Sequence, residues 1–167
     1  MPSGLYPVSR TVEMVKTAEG VAGGGRREWF SLSGRAAVVI GGTSGLGRAI
    51  GLGLAEHGAE VVATGRSDEK VWETGRKIEE FSSRTIFQAV DVNRRESIDA
   101  LRDAELAKFG RSDNLVNSAG DTNLNGVLRA CQSFYPALKA SGHGRIINGA
   151  SLGSFLDGGY LASGVNS

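Results

Sequence analysis

The feature of this sequence that most constrains its fold is a glycine-rich turn between an apolar run and an amphipathic stretch. Residues 37–40 are continuously apolar and contain β-branched side chains, which predicts a strand buried on both faces of a parallel sheet. Gly41, Gly45 and Gly47 follow, and apolar residues then recur at helical spacing over residues 46–57. Backbone N–H groups and the positive end of a helix dipole meet at such a turn, so we expect it to bind a phosphate-bearing ligand.

The alternation of strand and helix continues along the chain. Further strands are predicted at residues 60–64, 85–92, 115–117 and 145–148, and further helices at residues 67–81, around 98–106 and at 124–139. Asn93 and Glu96 have the spacing of a capping box at the start of the helix around 98–106. Strands that alternate with helices in this way predict an α/β fold with a doubly wound parallel sheet of five strands.

Composition limits the partners and the compartment that we expect. The chain has 167 residues, and its 19 Lys and Arg against 18 Asp and Glu give a net charge of +1, which offers no electrostatic reason to expect nucleic acid or an anionic membrane. No apolar run approaches the roughly 20 residues of a membrane span, the N-terminal region lacks the apolar stretch of a secretory signal, and the single cysteine, Cys131, cannot form an internal disulfide. We therefore expect a cytoplasmic protein.

The chain is predicted to divide into an extension and one domain. Residues 11–22 could form a short helix, but glycines follow at 23–25, so we interpret residues 1–29 as an N-terminal extension and linker. Residues 30–167 are predicted to form the domain. We expect no metal site, because His57 and His143 have no acidic or cysteine neighbours at ligand spacing.

The residues around the glycine turn distinguish between several classes of nucleotide-binding protein. The turn does not end in Gly-Lys-Ser or Gly-Lys-Thr, which disfavours a P-loop nucleotide hydrolase. No acidic residue precedes Gly41, as we would expect in a methyltransferase. A dinucleotide is the phosphate-bearing ligand that remains.

Three motifs, in order along the chain, resemble those of the short-chain dehydrogenase/reductase family. Gly41, Gly45 and Gly47 have its Gly-x-x-x-Gly-x-Gly spacing, Asp91-Val92 resembles its adenine-contacting Asp-Val pair, and residues 117–120 resemble its Asn-Asn-Ala-Gly motif. The resemblance implies a Rossmann fold, incomplete at its C-terminal end, with the strand order 3-2-1-4-5 and a bound nicotinamide dinucleotide. The expected cofactor-binding residues are Gly41, Thr43, Ser44, Gly45, Leu46, Gly47, Arg66, Asp91, Val92, Asn117, Ala119 and Gly120.

The end of the second predicted strand indicates which dinucleotide is preferred. A cofactor without a 2′-phosphate is usually held by an acidic residue about 20 residues after the glycines. Here no acidic residue lies at the end of the second strand, and Arg66 follows that strand. The guanidinium of Arg66 can make two charge-assisted hydrogen bonds to a phosphate. We therefore expect NADP(H) in preference to NAD(H), although Arg66 could instead pair with Asp68 at a helix start.

The same resemblance implies catalytic residues, one of which is replaced here. Ser151 and Tyr160 match the family's serine and tyrosine, which contact the substrate oxygen. Gly164 stands where the family has a lysine that binds the ribose and helps to ionise the tyrosine. Asn123 matches an asparagine that relays protons from that lysine, but beside Asp121 it also fits a helix cap, which we favour.

Two hypotheses of function follow. The first is an NADP(H)-dependent oxidoreductase that transfers a hydride between the nicotinamide and a small carbonyl or alcohol substrate, with weak activity because Gly164 supplies no charge. The alternative is a non-catalytic dinucleotide-binding or interaction protein derived from that family. We also expect self-association or pairing with a related subunit, because the strand at 145–148 would lie at an open sheet edge.

Overall fold

The computed structural model describes residues 30–118 and 124–149. The chain divides into two units, Met1–Ser31 and Leu32–Ser167, and the account that follows concerns the second. The helix considered at residues 11–22 lies outside the described residues, and the interpretation of 1–29 as an extension remains a prediction.

Four parallel strands form one sheet in the described part of the chain, in the order β2-β1-β3-β4. The elements are β1 (Ala36–Ile40), α1 (Gly45–Glu56), β2 (Glu60–Thr64), α2 (Asp68–Glu79), α3 (Arg95–Phe109), β3 (Asn114–Asn117), α4 (Leu124–Ala140) and β4 (Arg145–Asn148). The register places the strand ends Thr64, Ile40, Asn117 and Asn148 in one row across the sheet. Because the strands are parallel, all four carboxyl ends lie at the same edge.

Helices cover both faces of the sheet, as the doubly wound prediction requires. Alternate residues of β1 contribute to two separate cores, Val38 to one and Val39 to the other. The first core includes side chains of α3 and α4, and the second includes side chains of α1 and α2. All of β1 is therefore buried, as its continuous apolar sequence predicts.

The strand predicted at residues 85–92 is wrong, since this segment forms no regular strand. It runs beside β2 and is held by backbone bonds at its two ends, from Val61 N to the Arg84 carbonyl (3.2 Å) and from Val90 N to the Gly65 carbonyl (2.9 Å). Between them, the hydroxyl of Thr64 donates to the Gln88 carbonyl at 2.5 Å. The Thr64 side chain thus occupies the Gln88 carbonyl, which would otherwise be free to join the backbone hydrogen bonds of a fifth strand. The described sheet therefore has four strands.

The capping box predicted for Asn93 and Glu96 is also wrong. Helix α3 begins at Arg95, and its N-cap residue, Arg94, makes no side-chain capping bond. The Asn93 side chain instead donates to Asp91 Oδ1 at 3.1 Å. The Asn93 side chain, which was predicted to cap the helix, is thus bound to Asp91 instead.

In the described part of the chain, the other predicted helices and strands are confirmed to within a few residues. The predicted helix 124–139 is α4, and the predicted strand 145–148 is β4. Within the described residues, no helix has the length and apolar character that crossing a membrane requires.

Candidate functional site

The glycine-rich turn is bound to the end of β2. The N–H groups of Gly41 and Gly42 both donate to the carbonyl of Thr64, each at 2.9 Å. Gly41 has a φ of +79° and Gly45 a φ of +49°, a backbone region that favours glycine. The backbone conformation of this turn therefore favours glycine at both positions.

Close packing also requires glycine at Gly47, on the first turn of α1. A Cβ atom at Gly47 would overlap the carbonyl oxygen of Gly41 and lie 3.1 Å from the Cβ of Ser118, which follows β3. At Gly65, just after β2, a Cβ would lie 2.6 Å from Thr43 Oγ1. The turn is thus packed between the residues that follow β2 and those that follow β3.

The N-terminus of α1 has backbone donors without partners among the described residues. The first donor of the helix that meets a backbone acceptor is Arg48 N, which bonds to the Ser44 carbonyl at 3.1 Å, so the N–H groups of Gly45, Leu46 and Gly47 have no backbone acceptor among the described residues. Ser44 makes no side-chain capping bond, and the first turn carries no acidic residue. A phosphate group fits this end of the helix, because nothing described there competes with an anion.

Arg66 lies beside the turn and carries an uncommitted charge. It is exposed and follows Gly65, against which Thr43 is packed. Within residues 30–118 and 124–149 its guanidinium makes no hydrogen bond or ion pair, so the alternative pairing with Asp68 is not formed there. Arg66 is therefore available to an anion next to the glycine turn.

Asp91 and Val92 lie after the segment that runs beside β2. One oxygen of Asp91, Oδ1, accepts from the backbone N–H of Asn93 at 3.0 Å, which fixes the carboxylate in a local turn. The backbone N–H of Asp91 donates to Ser97 Oγ at 3.1 Å, which ties this turn to α3. Val92 is half-buried against the core.

Asn117 links the ends of β3 and β4 through its side chain. Its Nδ2 donates to Asn148 Oδ1 at 2.8 Å and lies 3.7 Å from Cys131 Sγ, whereas its buried Oδ1 has no partner in the part of the chain that the structure describes. Asn148 was not among the predicted site residues. Its position at the end of a strand, directly before Gly149, is the signal that could have identified it.

Arg48 is a second residue at this edge that the sequence analysis missed. It lies on the first turns of α1, and its Nη2 donates to Glu73 Oε1 of α2 at 2.6 Å. Its Nε is buried without a partner among the described residues. No motif singled it out, because an arginine at a helical position is usually a surface residue.

The remaining predicted residues lie outside the described part of the chain. These are Ala119, Gly120, Asn123, Ser151 and Tyr160, together with Gly164 at the position of the family lysine. Their roles stay predictions. Among the described residues, no three His, Cys, Asp or Glu side chains lie together where they could hold a metal ion.

A family model described as short chain dehydrogenase matches residues 35–163. The chain belongs to the short-chain dehydrogenase family. An uncharacterised oxidoreductase from Staphylococcus saprophyticus is 32% identical to this short-chain dehydrogenase over 144 residues, which cover 74% of the chain and 62% of that protein. The chain therefore spans about three fifths of the length of the curated relatives that it matches.

Solved short-chain dehydrogenases share the fold. A Sinorhizobium meliloti protein described as a short-chain alcohol dehydrogenase is 32% identical, with a TM-score of 0.70, and the match covers 77% of this chain and 58% of that one. The L-sorbose reductase of Gluconobacter frateurii, whose structure contains NADPH and L-sorbose, is 31% identical, with a TM-score of 0.68 and coverage of 74% and 54%. The resemblance drawn from three sequence motifs is thus confirmed for the family and the fold.

Proposed function

We propose that this chain is an NADP(H)-dependent oxidoreductase that acts on a small carbonyl or alcohol substrate. The observation that carries the proposal is the unpartnered N-terminus of α1, packed through Gly47 against the residues that follow β3. In open α/β sheets, ligands bind outside the carboxyl ends of the strands where the strand order reverses. Here the order reverses between β1 and β3, since the helices that follow these two strands, α1 and α4, pack on opposite faces of the sheet.

The dinucleotide is proposed to extend along the carboxyl edge of the sheet. Its pyrophosphate would accept hydrogen bonds from the N–H groups of Gly45, Leu46 and Gly47. Asp91 and Val92 would contact the adenine, and Asn117 would help to hold the cofactor at the end of β3. The sites assigned to Thr43, Ser44, Ala119 and Gly120 belong to the same proposal.

The preference for the 2′-phosphate rests on Arg66. A guanidinium with no partner in the described structure can meet a phosphate with two charge-assisted hydrogen bonds. The related L-sorbose reductase contains NADPH, which supports the same preference.

When bound, the nicotinamide would give or accept the hydride. Ser151 and Tyr160 are proposed to hold the substrate oxygen, with Tyr160 moving the proton at its phenolic oxygen. Gly164 offers no cation to stabilise the phenolate, and a cation about 4 Å away would be worth roughly 3 kcal/mol. We therefore expect turnover at least about a hundredfold slower than with a lysine at that position.

Calorimetric titration of the chain with NADPH and with NADH tests the proposed cofactor preference. We expect NADPH to bind at least about tenfold more tightly, because Arg66 can pair with the 2′-phosphate. The change Arg66→Ala should remove most of that difference and leave NADH binding unchanged. Lys77→Ala, which removes an exposed positive charge from α2, is the matched control and should preserve the difference. Equal binding of both cofactors by the unchanged protein would contradict phosphate recognition by Arg66.

A second measurement separates the enzyme from a dinucleotide-binding protein without activity. NADPH oxidation is followed with a panel of ketones and sugars at saturating cofactor. Tight NADPH binding with no oxidation in any mixture would favour the non-catalytic alternative.

A further inference from the structure

Two buried polar side chains are neighbours at the edge of the sheet opposite the proposed site. Glu105 of α3 and Ser112, in the loop before β3, are both fully buried. Neither carboxylate oxygen of Glu105 nor the hydroxyl of Ser112 has a hydrogen bond of normal geometry among the described residues. A buried polar group without a partner costs about 1–3 kcal/mol, and more when it is charged, so this pair requires a physical explanation.

The neighbouring Asp113 is held in its ionised form. Its carboxylate accepts from Arg111 Nε and Nη2, each at 2.6 Å, and from Ala36 N at 2.9 Å. Arg35 approaches the same carboxylate at 3.4 Å. Burial alone would raise the pKa of Asp113, but the hydrogen bonds from Arg111 and Ala36 outweigh it and hold that pKa below its usual value.

Glu105 has no comparable compensation. Burial raises the pKa of its carboxyl to about 8, the hydroxyl of Ser112 acts in the opposite direction, and the charge of Asp113 raises it further. The carboxyl of Glu105 is therefore neutral at pH 7.

The other charged groups on neighbouring elements are engaged elsewhere. Lys108 of α3 donates to a backbone carbonyl of the segment beside β2 at 2.8 Å. Arg84 of that segment pairs with Glu60, and Arg102, on the side of α3 that meets α4, pairs with Asp99. No described cation is thus paired with Glu105.

We propose that Glu105 and Ser112 form a proton-dependent contact that fastens the last turns of α3 to the loop before β3. While the carboxyl is neutral, it can stay buried beside the hydroxyl of Ser112, and α3 stays packed. When the carboxyl releases its proton to solvent, a buried charge remains beside ionised Asp113 and α3 opens from the sheet. The contact is a conformational device that acts at the edge opposite the proposed cofactor site and does not depend on it.

Unfolding in urea at several pH values tests the direction of this effect. Because the pKa of Glu105 is raised on folding, its contribution to stability is complete below about pH 4.5 and is lost as the pH rises through about 8. The unfolding equilibrium constant should therefore rise by up to about tenfold per pH unit between pH 5.5 and 8. In Glu105→Gln, which is neutral at every pH, this rise should be absent. Glu96→Gln changes an exposed residue on the same helix and should behave like the unchanged chain.

Two measurements on the whole chain keep the proposal testable if Glu105→Gln folds poorly. Carbon NMR of labelled glutamate carboxyls should show one group with a titration midpoint near pH 8, whereas midpoints that all lie below about pH 5.5 would overturn the proposal. Hydrogen exchange, corrected for intrinsic rate, should show α3 losing protection above pH 8 before β1 does. Equal loss in both elements would mean that Glu105 affects global stability only, and would also overturn it.

Discussion

At the scale of single residues, two glycines of α1 show how differently one residue type can act. A Cβ at Gly47 would overlap a backbone carbonyl that cannot move without distorting the turn, whereas a Cβ at Gly53 would meet nothing within 4 Å. Gly47 is thus required by packing at the site. Gly53 only weakens the helix, because glycine loses more backbone entropy than alanine on folding.

We expect Gly47→Ala and Gly53→Ala to have opposite effects on stability. Gly47→Ala should destabilise the domain by about 1–3 kcal/mol and weaken NADPH binding, because the turn must shift away from α1. Gly53→Ala should stabilise it by about 0.5–1 kcal/mol and leave binding unchanged. Thermal unfolding and cofactor titration of the two variants give both results. If both changes were stabilising, the tight approach of α1 to Gly41 would be wrong.

Residue-scale prediction from the sequence succeeded where a residue type has a local cause. The left-handed turn at Gly41 and Gly45 agrees with their spacing in the sequence. The role of Arg66, which follows the strand end where an acid is expected, stays a prediction. Asn148 was missed because its bond to Asn117 depends on the register of β4 against β3, which the sequence does not show. Glu105 was also missed, although Ile98, Leu101 and Phe109 occur at helical spacing with it and place it on the buried face of α3.

At the scale of elements, Asp113 connects the two central strands of the described sheet. It lies directly before β3 and accepts a hydrogen bond from the first residue of β1, while Arg35 and Arg111 bind its carboxylate from the flanking loops. Only 1% of the Asp113 side chain is exposed, against about a third of each arginine. The ion pair is therefore buried on its acidic side.

We predict that Asp113→Asn costs about 1–3 kcal/mol of unfolding free energy at pH 7, since the amide cannot accept both arginine bonds. Because the pKa of Asp113 is lowered on folding, its stabilising effect is present above about pH 3.8 and lost as the pH falls further. The unchanged chain and Asp113→Asn should therefore converge in stability towards pH 3.

The matched control is Asp103→Asn, which alters an exposed carboxylate paired with Arg102 on α3. Exposed ion pairs contribute about 0–1 kcal/mol, so this change should have little effect. Urea unfolding of both variants at pH 7 and pH 3 decides the matter. If Asp103→Asn lowered the free energy of unfolding as much as Asp113→Asn does, the buried ion pair would stabilise the domain no more than the exposed one.

Element boundaries could be predicted wherever the sequence period is clear and turn residues bound it. β4, α4 and α1 were located to within a residue, although Ile146 and Ile147 of β4 and Leu46 of α1 are exposed. The strand expected at residues 85–92 failed because Thr64 captures a carbonyl of that segment and Phe87 stacks on Trp72, with ring centroids 4.4 Å apart. Such side-chain competition has no signature in a local window of sequence.

At the scale of the whole molecule, β4 presents an unprotected edge in the described structure. It pairs with β3 on one side and with no described strand on the other. Ile146 and Ile147 are 40% and 48% exposed. Open strand edges with apolar side chains are templates for pairing with another chain.

We therefore predict that the chain self-associates, and that Ile147→Lys shifts the equilibrium towards monomer by placing a charge on this edge. Phe81→Lys, at a similarly exposed apolar residue beyond α2, is the control and should leave association unchanged. Light scattering over a concentration series measures both. Strictly monomeric behaviour of the unchanged chain at high concentration would show that the β4 edge is covered in solution.

The order of the strands also determines when the proposed site can exist during synthesis. Ala36, the first residue of β1, donates a backbone hydrogen bond to Asp113, the residue before β3, which lies 77 positions later in the sequence. Synthesis proceeds from the N-terminus, so β1, α1 and β2 leave the ribosome before β3 does. The glycine turn would then be anchored to Thr64 on one side and open on the other, until Ser118 emerges and packs against Gly47. A nascent chain would thus present the helix end proposed to bind phosphate before the rest of the crevice, and a dinucleotide bound at that moment would favour the correct insertion of β3 beside β1.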